Sequence, residues 1–503
     1  MRSHIASIAV ALVATVNSLW AVTPSIPVLA SNDAAQDVEP AVVVTNRNGV
    51  DYVTTVYMRY VMGPPTLTQQ GVPQLVSKTT TNLSSGIFIE GSLSLPSSSY
   101  NRGLDPALAR DSRPVGTGYG GRVYCAALAD YNASDLDHTN IPNAIVLWYS
   151  DDGGTVWSTP HVIASHVTAG SHLAYDKPAI AVSRHVGPDQ GYIYVSFTDR
   201  DQSGYGNNKI VLARSADGGQ TFSIVPNSPA GNAAINNSQV VVDPRSGDVY
   251  VLWVDFPSSC IMSARSMDHG DSFMAPEQGP CAATGHSFLV APYSPVHTIQ
   301  PYLRSGVIAY TIPIARWNDA KSVIGVVWHE REGIATGTDY TTYPPTNVYY
   351  AYHNDAGWQR SSLTPPSCSS SPAPLCCTVP PCPQNDDYPN SDQFMPALDS
   401  DPNGNVTIVW YDTRDDNGGR RYHEYAARFT FTGGFYQSNT RVSLFKTDPC
   451  LYTSGPGSVQ RTCFIGDYQD IISWPFGVIP RFLTGWVGIP ASGVGNIYLD
   501  DLR

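Results

Sequence analysis

Apolar residues recur along this chain in short runs rich in Val, Ile, Tyr and Trp, separated by turns of Asp, Gly, Asn and Pro. That is the pattern of many short strands. The clearest set lies between Asp176 and Ser228, with strands predicted over 178–182, 192–197, 210–213 and 222–225. The next set repeats the plan: an apolar run at 240–242, a turn at 243–247, then a second run at 249–254. The same template predicts further sets near 104–165, 285–364 and 392–447, and a terminal set over 464–503. The terminal set has strands near Ile471, Leu483 and Ile497 but no evident fourth. The segment 26–30 is placed to supply it, which would remove two exposed sheet edges at once. A further set near 38–98 makes seven in all; without it there are six, and seven is the preferred count. Three segments read as insertions that leave this plan: 97–121, 333–345 and the Cys/Pro-rich stretch 365–390.

One phrase punctuates the pattern. Ser150-Asp151-Asp152-Gly153-Gly154-Thr155-Val156-Trp157 is followed by Ser215-Ala216-Asp217-Gly218-Gly219-Gln220-Thr221-Phe222 and by Ser266-Met267-Asp268-His269-Gly270-Asp271-Ser272-Phe273. A shortened echo stands at His353-Asn354-Asp355-Ala356-Gly357-Trp358. The Asp folds back onto backbone amides, the Gly takes the positive φ that closes the turn, and the aromatic anchors the hairpin. Repeats at such spacing fit blades of about 40–50 residues before insertions. The fold expected is all-β: a propeller of four-stranded antiparallel blades, closed by the N-terminal strand.

The phrase resembles the Asp-box, or BNR repeat, of sialidases and related β-propellers. The resemblance rests on Ser150, Asp152, Gly154 and Trp157, on Ser215, Asp217, Gly219 and Phe222, and on Ser266, Asp268, Gly270 and Phe273. It implies that each box joins the third and fourth strands of a blade, on the face opposite the active site. Two further stretches, Phe464-Ile465-Gly466-Asp467-Tyr468-Gln469-Asp470 and Trp410-Tyr411-Asp412-Thr413-Arg414, resemble secreted bacterial proteins of the exo-sialidase-like group.

Composition narrows the picture. Only 14% of the 503 residues are charged, against 42 Gly, 40 Pro and 29 Tyr, which suits tight turns and argues against long helices. A net charge of −13 gives no support for binding nucleic acid. Arg2 and His4 precede an apolar run from Ile5 to Val16, so residues 1–21 read as a signal peptide and 22–503 as one domain. That run is too short for a membrane span. The chain is expected to be exported, extracellular or periplasmic, and monomeric. The nine Cys suit an oxidising compartment. Cys260 with Cys281, and Cys450 with Cys463, flank loops that each pair could close. Cys368, Cys376, Cys377 and Cys382 pair among themselves in unknown connectivity or, less in keeping with their spacing, bind zinc. Cys125 reads as a free, buried thiol.

If the boxes mark the bottom, the ends of the second strands share the top with the starts of the first. Second-strand ends carry Arg59, Asp130, Asp199-Arg200-Asp201, Asp255, Glu330-Arg331-Glu332 and Asp412-Thr413-Arg414-Asp415. First-strand starts carry Glu39, Asp105, Asp176-Lys177, Asp392 and Asp467-Tyr468. A ring of acids with interleaved Arg is a setting for glycoside chemistry, where paired carboxylates serve as acid and base or nucleophile and Arg holds an anionic sugar. The same residues also serve to tie blades together. Asp467, Tyr468, Asp412, Asp199 and Glu330 are the catalytic candidates, and Arg200, Arg331 and Arg414 the substrate-binding ones. The resemblance implies three Arg on the sialic-acid carboxylate, a Tyr–Glu nucleophile pair and an Asp acid/base. The family's Arg-Ile-Pro motif is absent, because the first blade reads Glu39-Pro40-Ala41-Val42. The function expected is therefore a sialidase-like glycoside hydrolase acting on a terminal or anionic sugar. The alternatives are a non-catalytic propeller that binds glycan or protein, and a polysaccharide lyase using Tyr with His329 or His423. No cofactor is expected. The segment 399–405 resembles a calcium loop superficially, and a plain hairpin turn is the preferred reading there.

Overall fold

The computed structural model describes residues 22–503, apart from 32–35, 62–71, 132–141, 167–172, 202–206, 228, 290–302, 334, 336–338, 361–390, 417–418, 430–438, 450–464, 475, 477–479 and 490–494. The short apolar runs form seven four-stranded antiparallel sheets. After β1 (Val28–Leu29), blade I holds β2 (Gln36–Arg47), β3 (Val50–Val61), β4 (Val72–Thr80) and β5 (Ile89–Ser92). Blade II is β6 (Arg102–Arg110), β7 (Val123–Asp130), β8 (Asn143–Ser150) and β9 (His161–His166). Blade III is β10 (Leu173–Val182), β11 (Ile193–Asp201), β12 (Asn208–Ser215) and β13 (Ser223–Ile224), with β14 (Ala230–Ala233) also paired to β12. Blade IV is β15 (Ile235–Val242), β16 (Val249–Asp255), β17 (Cys260–Ser266) and β18 (Glu277–Cys281). Blade V is β19 (Ile314–Asn318), β20 (Val323–Arg331), β21 (Thr346–Asn354) and β22 (Gly357–Arg360). Blade VI is β23 (Gln393–Ser400), β24 (Val406–Asp412), β25 (His423–Phe429) and β26 (Thr440–Arg441). Blade VII is β27 (Asp470–Trp474), β28 (Arg481–Gly488) and β29 (Asn496–Leu502), and β1 completes it as the fourth strand.

The count is seven, and the box-less set near 38–98 is a full blade. The segment 97–121 is not an insertion throughout, since it contains β6, the inner strand of blade II. The strand expected to start at Asp105 thus begins inside the segment read as an insertion, where two Arg and an Asp-Pro break its apolar pattern. The first strand of each blade is innermost, and these strands touch in order around the ring, with β2 meeting β27. They enclose a central channel of about 420 Å³. Second strands such as β7, β20 and β24 are buried along their whole length between neighbouring blades.

The Ser-x-Asp-x-Gly turns join third to fourth strands, as expected. In each the Ser hydroxyl donates to the Asp carboxylate and accepts from the amide of the Gly four residues on, at 2.7 and 2.8 Å for Ser150, 2.8 and 3.0 Å for Ser215, and 2.7 and 2.7 Å for Ser266. The turns also grip the preceding blade. Arg122 of blade II donates to Gly218 O at 2.9 Å, and Arg214 of blade III to His269 O at 2.8 Å. The aromatics do the same. Trp157 Nε1 donates to Ser77 of blade I, and Trp358, in the shortened echo, donates to Ser263 of blade IV.

Cys260 and Cys281 form a disulfide across β17 and β18, and Cys125 is free and buried. The other paired-Cys calls fall on residues outside those described. Among the described residues no helix is long and apolar enough to cross a membrane.

Gly219 tests the clasp. Its φ is +89°, and a Cβ there would lie 2.5 Å from Leu147 Cδ2 of blade II. Gly285 has φ +85° with nothing within 4 Å. Gly285→Ala should cost only the strain of the left-handed conformation, about 1–2 kcal/mol. Gly219→Ala adds overpacking of about 1–3 kcal/mol. Denaturant melts should rank them in that order, and equal losses would contradict the clasp.

Candidate functional site

The inner strands carry the site because five of the seven are kinked near their tops. Beta-bulges interrupt the pairing of β2, β6, β10, β15 and β23 at Val38/Ala41, Leu104/Ala107, Asp176/Ala179, Asn236/Gln239 and Phe394/Ala397. At each bulge a non-Gly residue takes positive φ: Glu39 (55°), Asp105 (51°), Lys177 (49°), Asn237 (59°) and Met395 (50°). In four of the five the next residue is Pro: Pro40, Pro106, Pro178 and Pro396. Proline has no N–H to give to the ladder, so it fits where the ladder is broken, and it disfavours the right-handed helical conformation before it. Strained residues of this kind cost about 1–3 kcal/mol each and cluster at functional sites.

The bulges bring four blades together on the axis. Lys177 Nζ of blade III donates to Asp105 Oδ1 of blade II at 2.8 Å and to Asp467 Oδ2 at 2.5 Å, just before blade VII. Glu39 Oε1 of blade I accepts the Asp467 amide at 3.0 Å. The carboxylates of Glu39, Asp105 and Asp467 offer oxygens that all lie within 4.8 Å of one another. Glu39 Oε2 and Asp467 Oδ1 are buried without a hydrogen-bond partner. Gly466, at φ +92°, lets the chain pass here, since a Cβ would fall 2.5 Å from Glu39 Cγ.

Electrostatics follow from this burial. Desolvation, reinforced by Asp105 and Asp467 against the pull of Lys177, holds the Glu39 carboxyl well above its ordinary value. Desolvation also raises Asp467, against Lys177. Burial pulls Lys177 down, but Asp105, Asp467, Glu39 and Asp176 outweigh it and hold the ammonium well above its usual range. Below the cluster the channel wall mixes Ala, Val and Ile of the inner strands with polar and charged side chains, among them Arg110, Arg184, Arg316, Asp399 and Asp470.

The residues singled out from sequence fall into distinct settings. Asp467 is in the axial cluster. Tyr468 packs beside it, its hydroxyl donating to Pro106 O at 2.9 Å and its acidity suppressed by burial and the nearby acids. Glu330 is fully buried and takes Trp328 Nε1, the Ala283 amide and His286 Nδ1 at 3.2, 3.1 and 2.9 Å. Asp412 is equally buried, holding Trp410 Nε1 at 2.9 Å and Arg414 through its backbone and guanidinium at 2.6–2.8 Å. Desolvation raises Asp392 to about 6, and it accepts the Arg304 and Thr346 amides. Asp199 differs: its side chain keeps 21% exposure and meets His166 Nε2 of blade II at 3.0 Å. Tyr175 stacks on that imidazole at 4.1 Å.

The three Arg are not brought onto one acceptor. Arg200 pairs with Asp176 at 2.9 Å, where Asn236 of blade IV joins at 3.1 Å. Arg331 lies 4.9 Å over the Tyr343 ring in blade V. Arg414 is 4.5 Å over Tyr425 in blade VI while gripping Asp412. Of the lyase candidates, His329 is buried, its imidazole pushed down to about 3 by desolvation, and His423 bonds Ser443 at 2.8 Å. The loop at 399–405 is a hairpin turn closed by Asp401, whose carboxylate takes the Asn403 and Asn405 amides and Asn405 Nδ2. Sequence reading placed Glu39, Asp105 and Lys177 on the ring but missed their union with Asp467. The repeated tripeptides Glu39-Pro40-Ala41, Asp105-Pro106-Ala107, Lys177-Pro178-Ala179 and Met395-Pro396-Ala397 were the available signal. His166 was missed because its partner lies on the next blade.

No family model matches the sequence, and no curated protein matches it. Solved structures similar to it include a Hadza microbial sialidase, with TM-score 0.46 and 12% identity over 92% of this chain and 65% of that one. NanB sialidase from Streptococcus pneumoniae has TM-score 0.45 and 10% identity over 81% of this chain and 71% of that one. An α-l-arabinofuranosidase from Fusarium graminearum has TM-score 0.43 and 10% identity over 96% of this chain and 98% of that one. The chain spans 65% of the length of the Hadza sialidase, and such identities carry no residue-by-residue correspondence.

Lys177→Met would strand three carboxylates. Breaking a buried pair costs about 3–5 kcal/mol. Glu39 and Asp467 have raised values in the fold, so they favour the native state fully when protonated, below their unfolded values, and lose that as pH rises. The deficit of Lys177→Met in metal-free buffer should therefore grow from acid to neutral pH in melting experiments; a pH-independent deficit would contradict this account.

Proposed function

We propose that the chain is a carbohydrate-active propeller, a glycoside hydrolase that meets a terminal sugar on its top face at the seam of blades II and III. One observation carries this reading. Asp199 is reachable from solvent, bonds His166 at 3.0 Å, and stands beside the stacked rings of His166 and Tyr175. A reachable carboxylate, a proton carrier and a flat aromatic wall are the groups that glycosidic cleavage uses: the carboxyl protonates the leaving oxygen while water or a second group attacks the sugar carbon. Export behind a leader over 1–21, as a monomer of one ring domain, belongs to the same reading. The disulfide between Cys260 and Cys281 supports an oxidising destination.

A second reading, a propeller that binds glycan without cleaving it, is favoured by the full engagement of Glu330 and Asp412 in blade-internal hydrogen bonds. A panel of fluorogenic glycosides, a sialoside included, separates the two. Asp199→Asn should lower turnover of the responding glycoside by about 10²–10⁴-fold. His166→Gln should shift the pH profile of kcat. No release from any glycoside, together with retention on a glycan array, would replace the hydrolase with the binder.

A further inference from the structure

We propose that Glu39, Asp105 and Asp467 form a calcium site on the axis of the ring. The site is separate from the Asp199 surface and does not rest on the hydrolase reading. Calcium takes oxygen ligands at about 2.3–2.6 Å, so two ligands on opposite sides of one ion stand about 4.8 Å apart. The three carboxylates meet that limit as they stand, with every pair of offered oxygens within 4.8 Å.

Two oxygens point to a ligand. Glu39 Oε2 and Asp467 Oδ1 have no hydrogen-bond partner, in residues only 1% and 7% exposed. A buried carboxylate oxygen without a donor is costly, and a cation answers it. Lys177 does not fill the role. It binds Asp467 through Oδ2 and Asp105 through Oδ1, which leaves Asp467 Oδ1 and Glu39 Oε2 open. When all three acids are ionised, three carboxylates against one ammonium leave two negative charges, and one divalent cation neutralises them. Asp176 adds no demand, because Arg200 pairs with it.

The ligands belong to blade I, blade II and the start of blade VII. Calcium would therefore clamp the first and last blades together next to the seam that β1 closes. By contrast the Asp401 turn has its carboxylate oxygens committed to its own amides.

The test uses the full chain, stripped with a chelator and then given calcium. We expect one calcium per chain by elemental mass spectrometry, and a melting temperature that rises by several degrees in millimolar calcium. Terbium in place of calcium should show luminescence sensitised by Tyr468 and by Tyr60 of β3, both partly buried and within electrostatic reach of Glu39, Asp105 and Asp467. The double variant Glu39→Gln with Asp467→Asn should lose all three effects, and Asp401→Asn should keep them. Absence of bound calcium and of any thermal shift in the unmodified chain would overturn the proposal, whatever the variants do. So would a shift that survives in the double variant or disappears in Asp401→Asn.

Discussion

The structure depends on keeping charged side chains dry at the centre of a ring. A propeller's inner strands converge, and here three of them and the segment leading into β27 carry Glu39, Asp105, Lys177 and Asp467 to one point, all in contact through hydrogen bonds or shared burial. Each buried charge is tolerated only while paired, so the four must be placed together. The positive-φ bulges do the placing. A regular strand would leave its side chains alternating between the two neighbouring blades; the bulge re-aims one residue per strand. The collar continues around the axis by other means, with Asn237 reaching Thr311 O at 3.0 Å and Gln469 reaching Met395 O at 2.9 Å.

The bottom face solves a different problem with different chemistry. There the Asp-centred turns are exposed, and their Asp carboxyls accept amide and hydroxyl hydrogen bonds within one hairpin. Those bonds hold Asp268 down at about 2. The turns add Gly and Arg contacts to the blade before them, so blade order is read at the rim as well as at the axis. Between the two faces lie indole–carboxylate links such as Trp328 to Glu330 and Trp410 to Asp412. These explain why acids that look catalytic in the sequence are held inside blades.

Much of the fold was legible because it is periodic. Short apolar runs, Asp-Gly turns and the repeated Ser-x-Asp phrase place the blades, the N-terminal closing strand and the Cys260–Cys281 bridge. What failed was local or long-range. The extent of β6 was blurred because Arg102, Asp105 and Arg110 interrupt its apolar pattern for reasons that lie on other blades, so part of it read as an insertion. The site was half legible. Topology puts Glu39, Asp105, Lys177 and Asp467 on one face, but only the bulges decide which side chains meet. Arg200, Arg331 and Arg414 share that face too, yet each takes a partner within its own neighbourhood, a choice that strand order does not encode.

The central claim is that the axial charges couple blades that are far apart in sequence. Hydrogen exchange of the native chain and of Asp105→Asn tests it most directly. If the cluster acts as one unit, the amides of Asp467, Val42 and the paired strands β27 and β28 should lose protection together with those of β6, although blade VII is more than 350 residues away from Asp105 in sequence. Loss of protection confined to β6 and its partner β7 would contradict it.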